Sequence, residues 1–130
     1  MDRRTGRFAP LTTLIGRALV GALDIDEAEA EARKAIDMNR SDAWAHHVVA
    51  HCLEARGRML EGVAFLRSMS DTWAPCNSFM YTHNWWHLAL CYLDLGDTAR
   101  VLALFGKKHG FISASCGPEQ EYFLIDPRLF

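Results

Sequence analysis

The sequence lacks both a long apolar run and an excess of one charge. Its 130 residues include 14 Lys and Arg against 16 Asp and Glu, a formal net charge of -2. Nucleic-acid binding needs clustered basic residues, so we expect no nucleic-acid partner. No stretch reaches the roughly 18 apolar residues that a membrane-spanning helix needs, so we expect no membrane association.

The sequence also has no closely spaced cysteine pair. Zinc knuckles and thioredoxin-like sites use C-x-x-C, whereas the cysteines here are 24, 15 and 25 residues apart, at Cys52, Cys76, Cys91 and Cys116. The N-terminal apolar segment is interrupted by Arg17 and has no A-x-A cleavage site, so it does not read as a signal peptide. We therefore expect reduced thiols and a cytoplasmic protein.

An internal repeat is the strongest pattern present. Between His83 and Phe105 a bulky-small-bulky stripe has the 3, 4 and 7 spacing of one helical face, at Trp85, Leu88, Ala89 and Tyr92. Gly96 then ends that helix, because glycine tolerates the left-handed turn of a helix C-terminus. Gly57 precedes Gly96 by 39 residues and ends the corresponding helix in an earlier copy of the pattern.

Three copies in phase predict an all-α fold. We expect one domain over 1–130, a right-handed α-solenoid of about three tetratricopeptide-like helix-turn-helix repeats, followed by an irregular tail at 111–130. The repeats would cover about 10–40, 42–74 and 78–110, with Ser70 to Ser78 as a lengthened loop. The predicted helices span about 11–23, 26–38, 42–55 (capped by Ser41), 59–68, 78–95 and 97–107. The charged run from Glu27 to Lys34 would form the solvated face of its helix.

Two segments resemble a particular repeat family. They read DAWAHHVVAH at 42–51 and HNWWHLAL at 83–90. These are similar to motifs of the tetratricopeptide repeat protein 38 family, whose members are soluble helical-repeat proteins considerably longer than this chain. The resemblance covers about half of the chain closely, so we expect a fragment or shortened form of such a protein.

The resemblance implies that the first helix of each repeat lines a concave binding groove. The residues it places there include Trp44, His47, His51, His83, Trp86 and His87. A non-catalytic scaffold that recognises a protein or peptide partner is the function expected on this basis. Self-association through uncapped terminal repeats is a further possibility, because the tail is apolar where a cap should be polar.

The same histidines carry the alternative hypothesis. His47 and His51 are four residues apart, as are His83 and His87, and each i, i+4 pair projects two imidazoles from one helical face. Two facing pairs would supply four ligands to a divalent metal, or three ligands and an open position for water. They would otherwise be hydrogen-bonding contacts to a peptide or to each other. No acidic residue lies in these motifs as in HExxH enzymes, and the nearest acidic candidates are Glu54 and Asp94.

Overall fold

The structure is a computed structural model, and it describes residues 25–107. This part of the chain is all-helical, as the sequence predicts, and contains no strand. It comprises five α-helices and a 3-10 turn at Ser70–Thr72: α1 (Ile25–Met38), α2 (Ala43–Ala55), α3 (Met59–Met69), α4 (Ser78–Asp94) and α5 (Thr98–Leu104). The helix predicted at 11–23, Arg17, Cys116 and the tail at 111–130 lie outside the described residues.

Three helices begin at a side-chain cap. The carboxylate of Asp42 accepts a hydrogen bond from the Ala45 amide at 3.1 Å, so Asp42 caps α2 and the prediction of Ser41 was wrong. Asn77 caps α4, and Asp97 caps α5 in the same way. The last helix ends at Leu104, three residues earlier than predicted.

Within residues 25–107, three helices are followed by a glycine in the left-handed conformation: Gly57, Gly96 and, after α5, Gly106. The first two of these glycines lead into another described helix. Gly57 follows α2 with φ +66°, and Gly96 follows α4 with φ +72°, as predicted for Gly96. In each case the amide of the residue after the glycine donates to a carbonyl within the last turn, Arg58 to Leu53 and Asp97 to Tyr92. The chain then turns within three residues into the next helix.

Each helix packs on the next one along the chain, and α2 also packs directly on α4. The shared core is apolar and includes Leu53 from α2, Leu66 from α3 and Leu88 from α4, all fully buried. The approach of α3 to α4 is especially close at Gly62, where an added Cβ would lie 2.9 Å from Sγ of Cys91. The α2–α4 contact matters most for the site, because it brings together two histidine-bearing faces.

The segment predicted as a plain loop after α3 contains a buried anchor. Trp73 follows the 3-10 turn and is fully buried, and its ring meets that of Trp85 edge-on at 5.1 Å between centroids. This tryptophan packs inward and anchors the segment to the core, while most of the residues around it stay exposed. Trp85 and Tyr92 belong to the same packed interior, as their stripe predicts.

The predicted solvated face of α1 is wrong at one residue. Glu29 is buried, and its carboxylate accepts hydrogen bonds from Arg33 at 2.8 Å and from Arg58 at 2.6 Å. Arg58 immediately precedes α3, so this carboxylate joins two helices that are distant in sequence. No helix within residues 25–107 is long and apolar enough to cross a membrane.

Candidate metal centre

Four histidine side chains meet where α2 packs on α4. His47 and His51 stand one turn apart on α2, and His83 and His87 stand one turn apart on α4. Residues four apart share a helical face, so the contact between the two helices turns both pairs toward each other. The sequence predicted these pairs, and the structure brings all four residues together.

The Nε2 atoms form the centre of this cluster. Nε2 of His47 lies 2.8 Å from Nε2 of His51 and 2.9 Å from Nε2 of His83. Nε2 of His83 in turn lies 3.2 Å from Nε2 of His87. One nitrogen from each of the four rings can be chosen so that all lie within 4.8 Å of one another. These four residues are called the histidine cluster below.

The histidine cluster lies deeper than a groove lining would. His47 is 0% exposed and His87 is 1% exposed, whereas His51 and His83 are partly exposed. The open-groove placement predicted for all four residues therefore does not describe His47 and His87, because the α2–α4 contact closes over their rings. The cluster has a buried side and a rim that reaches the surface.

Burial and mutual repulsion keep the innermost ring neutral. Desolvation, followed by the charges that a protonated ring would face on His51, His87 and His83, lowers the pKa of His47 from 6.5 to about 2. A neutral imidazole carries one N–H and one lone pair, and the lone pair is what a metal ion binds. At physiological pH the centre of the cluster therefore offers a lone-pair donor in His47.

The carboxylate of Glu54 contacts one member of the histidine cluster, His87. Oε1 of Glu54 lies 2.9 Å from Nδ1 of His87, on the side of the ring away from the other histidines. Sγ of Cys91 approaches the same oxygen at 4.0 Å. Sequence reasoning named Glu54 as a nearby acidic candidate but did not predict this contact. Asp94, the other acidic candidate, is exposed.

The nitrogen spacing suits a small divalent ion. Zn–N bonds of about 2.0–2.1 Å in a tetrahedral site place neighbouring donor nitrogens roughly 3.3 Å apart. The three Nε2 separations of 2.8, 2.9 and 3.2 Å are slightly shorter, so modest rotations of the rings would admit an ion. Imidazole nitrogens suit zinc, copper, nickel and iron, and carboxylate-preferring magnesium and calcium far less.

No protein-family model matches this chain, and neither does any solved structure. The chemistry of the histidine cluster is therefore inferred from its own residues and their geometry. Those residues offer imidazole nitrogens alone, with a carboxylate in contact with one ring. The set fits metal binding.

The two tryptophans predicted to line the groove occupy different places. Trp44 is partly buried against the cluster, with its ring centroid 6.0 Å from that of His47 and 6.2 Å from that of Phe79. Phe79 also stacks on His83 at 5.1 Å and 27°. Trp86 is instead 44% exposed and lines a hollow that His83 and Phe79 also line, so it lies beside the surface rim of the histidine cluster.

His46 lies in a different environment from its sequence neighbour His47. Its ring is fully buried on another face of α2, where Nδ1 accepts a hydrogen bond from the indole of Trp73 at 3.1 Å. The burial of His46 makes it a core residue. The adjacent residues His46 and His47 therefore serve two separate parts of the molecule.

Proposed function

We propose that this chain binds a divalent transition-metal ion, with zinc as the first candidate, through His47, His51, His83 and His87. The single observation that carries the proposal is the convergence of four Nε2 atoms from two helices. Random surface histidines do not share one centre, because each ring would lose hydration without gaining a partner. A metal ion at this point would accept the lone pairs and hold α2 against α4.

The tautomer of His87 is compatible with a metal. The Glu54 carboxylate can only accept, so neutral His87 carries its proton on Nδ1 and presents the lone pair of Nε2 to the other rings. That lone pair can accept an N–H from Nε2 of His83 at 3.2 Å, or it can bind a cation at the centre of the cluster. The low pKa of His47 argues against an extra proton as that cation.

The donor number favours a structural role. Four protein ligands complete a tetrahedral zinc shell, whereas catalytic zinc keeps one position for water. The ion would join residues that are 36 positions apart in the chain, His47 and His83, and would fix the packing of two helix pairs. A site with three histidines and a bound water is the alternative, and metal spectroscopy distinguishes the two.

Purification without a histidine tag, followed by elemental analysis and competition titration, tests the proposal. The wild-type chain should retain about one equivalent of metal, and His83→Ala should lose it. His83 is the ligand to replace first because it is only partly buried, so the fold should survive. Thr82→Ala, an exposed neighbour on the same helix, is the matched control. Wild-type protein without measurable zinc affinity would overturn the proposal.

We propose further that the helices belong to a tetratricopeptide-like α-solenoid. The support is the order of packing, in which each helix contacts the next and α2 contacts α4, as neighbouring repeats do. Two of the left-handed glycines, Gly57 and Gly96, end the corresponding first helices of successive pairs. The resemblance to the tetratricopeptide repeat protein 38 family points the same way.

A protein-binding role is the second candidate, and one surface favours it. A hollow of about 690 Å³ between α4 and the end of α5 is flanked by exposed aromatic side chains. Phe79, Trp86 and Phe105 are 53%, 44% and 62% exposed. Large exposed aromatic groups are typical of interface anchors. Sedimentation over a concentration series tests self-association through this surface, and Trp86→Ala should reduce it.

A further inference from the structure

Glu54 is the one carboxylate in the described residues that contacts a member of the histidine cluster. Its Oε1 atom lies 2.9 Å from Nδ1 of His87, and its side chain is 20% exposed while that of His87 is 1% exposed. The contact joins α2 to α4, since Glu54 is near the end of α2 and His87 is in the middle of α4. Within this geometry, Nδ1 of His87 faces the carboxylate and Nε2 faces the cluster.

A carboxylate in this position does two things to an imidazole. It accepts a hydrogen bond from Nδ1–H, which fixes the tautomer and leaves Nε2 as the lone-pair donor. It also holds the ring plane, so that the lone pair keeps its direction. Partners of this kind orient metal-bound histidines and increase the basicity of the ligand nitrogen.

Glu54 also supplies a negative charge next to the proposed metal site. Four neutral imidazoles around a divalent ion leave a charge of about +2 in a half-buried site, and an uncompensated buried charge is costly. Cys91, the other group beside Glu54, supplies no charge at neutral pH, because burial and then the nearby Glu54 and Asp94 charges raise the pKa of its thiol to about 11. The single negative charge of Glu54 is therefore the compensating charge in direct contact with a ligand.

We propose that Glu54 is a positioning residue of the metal centre, holding His87 with Nε2 toward the ion and offsetting part of the ion's charge. The inference rests on the proposed metal binding and assigns a residue that does not itself coordinate. Glu54 supplies orientation and charge but no ligand atom. Its removal should therefore weaken binding without abolishing it, in contrast to the removal of a ligand.

Three variants separate orientation from charge. Glu54→Gln keeps a side chain of the same size and an oxygen that can accept from Nδ1, but it removes the charge. Glu54→Ala removes both contributions. Asp94→Asn is the matched control, because Asp94 is an exposed acid on α4, seven residues after His87. Circular dichroism and thermal unfolding in chelator should show wild-type folding for the glutamine variant and for the control.

Zinc affinity and the cobalt spectrum are the two measurements. Zinc competition titrations should give an affinity about 10–100-fold weaker for Glu54→Gln than for wild type, with a larger loss for Glu54→Ala. Asp94→Asn should be unchanged. The visible bands of the Co²⁺-loaded protein report the ligand geometry directly, and they should shift in both Glu54 variants while a merely structural residue would leave them alone.

The nitrogen chemical shifts of the ring give an independent readout of the tautomer. In metal-loaded wild type, His87 should show a protonated Nδ1 whose proton exchanges slowly, and that protection should fall in Glu54→Ala. Wild-type affinity and an unchanged cobalt spectrum in Glu54→Gln and Glu54→Ala would overturn the positioning role while leaving metal binding intact. Failure of the wild-type chain to bind Zn²⁺ or Co²⁺ would overturn both proposals together.

Discussion

The indole nitrogen of Trp73 lies 3.1 Å from Nδ1 of His46, and both side chains are fully buried. Indole only donates, so Nδ1 of His46 accepts and the ring is neutral with its proton on Nε2. This hydrogen bond fastens the segment between α3 and α4 to the N-terminal part of α2. The bond exists only while His46 stays neutral, which couples it to pH.

Stability should fall as the pH drops from about 6.5 toward 4. Burial is the main cause that lowers the pKa of His46 from 6.5 to about 4, so the unfolded chain binds a proton in this range and the folded chain does not. The contribution is complete above pH 6.5 and is lost as the pH falls through the folded pKa. A shift of this size corresponds to at most about 3 kcal/mol.

Urea unfolding in chelator, repeated between pH 7 and 4, measures this effect. His46→Leu should be less stable at pH 7, since it leaves the indole of Trp73 without its acceptor, but its unfolding free energy should fall less steeply with pH. The slope should drop by up to about 1.4 kcal/mol per pH unit, the value for one proton. Trp73→Phe keeps the buried imidazole and should retain most of the slope. Equal slopes in wild type and His46→Leu would contradict the assignment.

Glu29 should contribute measurably to stability even though it lies on a charged helix. Glu29→Gln removes a carboxylate that bonds both Arg33 and Arg58, and we expect a loss of about 1 kcal/mol. The value is modest because both arginines are close to 40% exposed and are screened by solvent. Asp37→Asn, an exposed acid on the same helix, should change the free energy of unfolding by less than half of this amount. The difference between the two variants should shrink in high salt.

Trp73 and Glu29 mark the limit of what the sequence can predict. Helical spacing is local, so the helices within residues 25–107 were predicted to within a few residues, and the two histidine pairs followed from the same i, i+4 spacing. The sequence placed Trp73 in a loop and Glu29 on a solvated surface. Both predictions failed because the contacts that bury these side chains are distant in sequence: Trp73 bonds a residue 27 positions away, and Glu29 bonds one 29 positions away. The depth of His47 depends likewise on how closely α2 meets α4, and no local pattern encodes that distance.

Gly62 should not tolerate a methyl group. An added Cβ would lie 2.9 Å from Sγ of Cys91, which is 1% exposed and has little room to move. Alanine in mid-helix is normally about 1 kcal/mol better than glycine, yet overpacking a core costs roughly 1–3 kcal/mol, so Gly62→Ala should be destabilising overall. Chemical denaturation measures the change.

The double variant tests whether Cys91 is the cause. Gly62→Ala combined with Cys91→Ala should recover much of the loss, because the smaller side chain makes room for the new methyl group. Ala64→Gly, on the exposed side of the same helix, is the control. Its free energy of unfolding should change only by the difference in helix propensity between alanine and glycine. If Gly62→Ala is as stable as wild type, the α3–α4 contact is looser than described.

Zinc should stabilise the chain in a pattern that follows its ligands. A ligand that binds only the folded state raises the free energy of unfolding by about 2.7 kcal/mol at 100 times its dissociation constant. Excess chelator should remove the gain, and His83→Ala should show none of it. Thr82→Ala should retain it in full.

A more demanding test is to measure which helices zinc stabilises. The histidine cluster draws its ligands from α2 and α4, while α1 supplies none. Zinc should therefore slow amide hydrogen exchange in α2 and α4 through the local openings that separate these helices, with a smaller change in α1. The same slowing in α1 as in α2 would mean that the ion acts only on global unfolding. Slowing confined to one helix would mean that its ligands do not bridge the two.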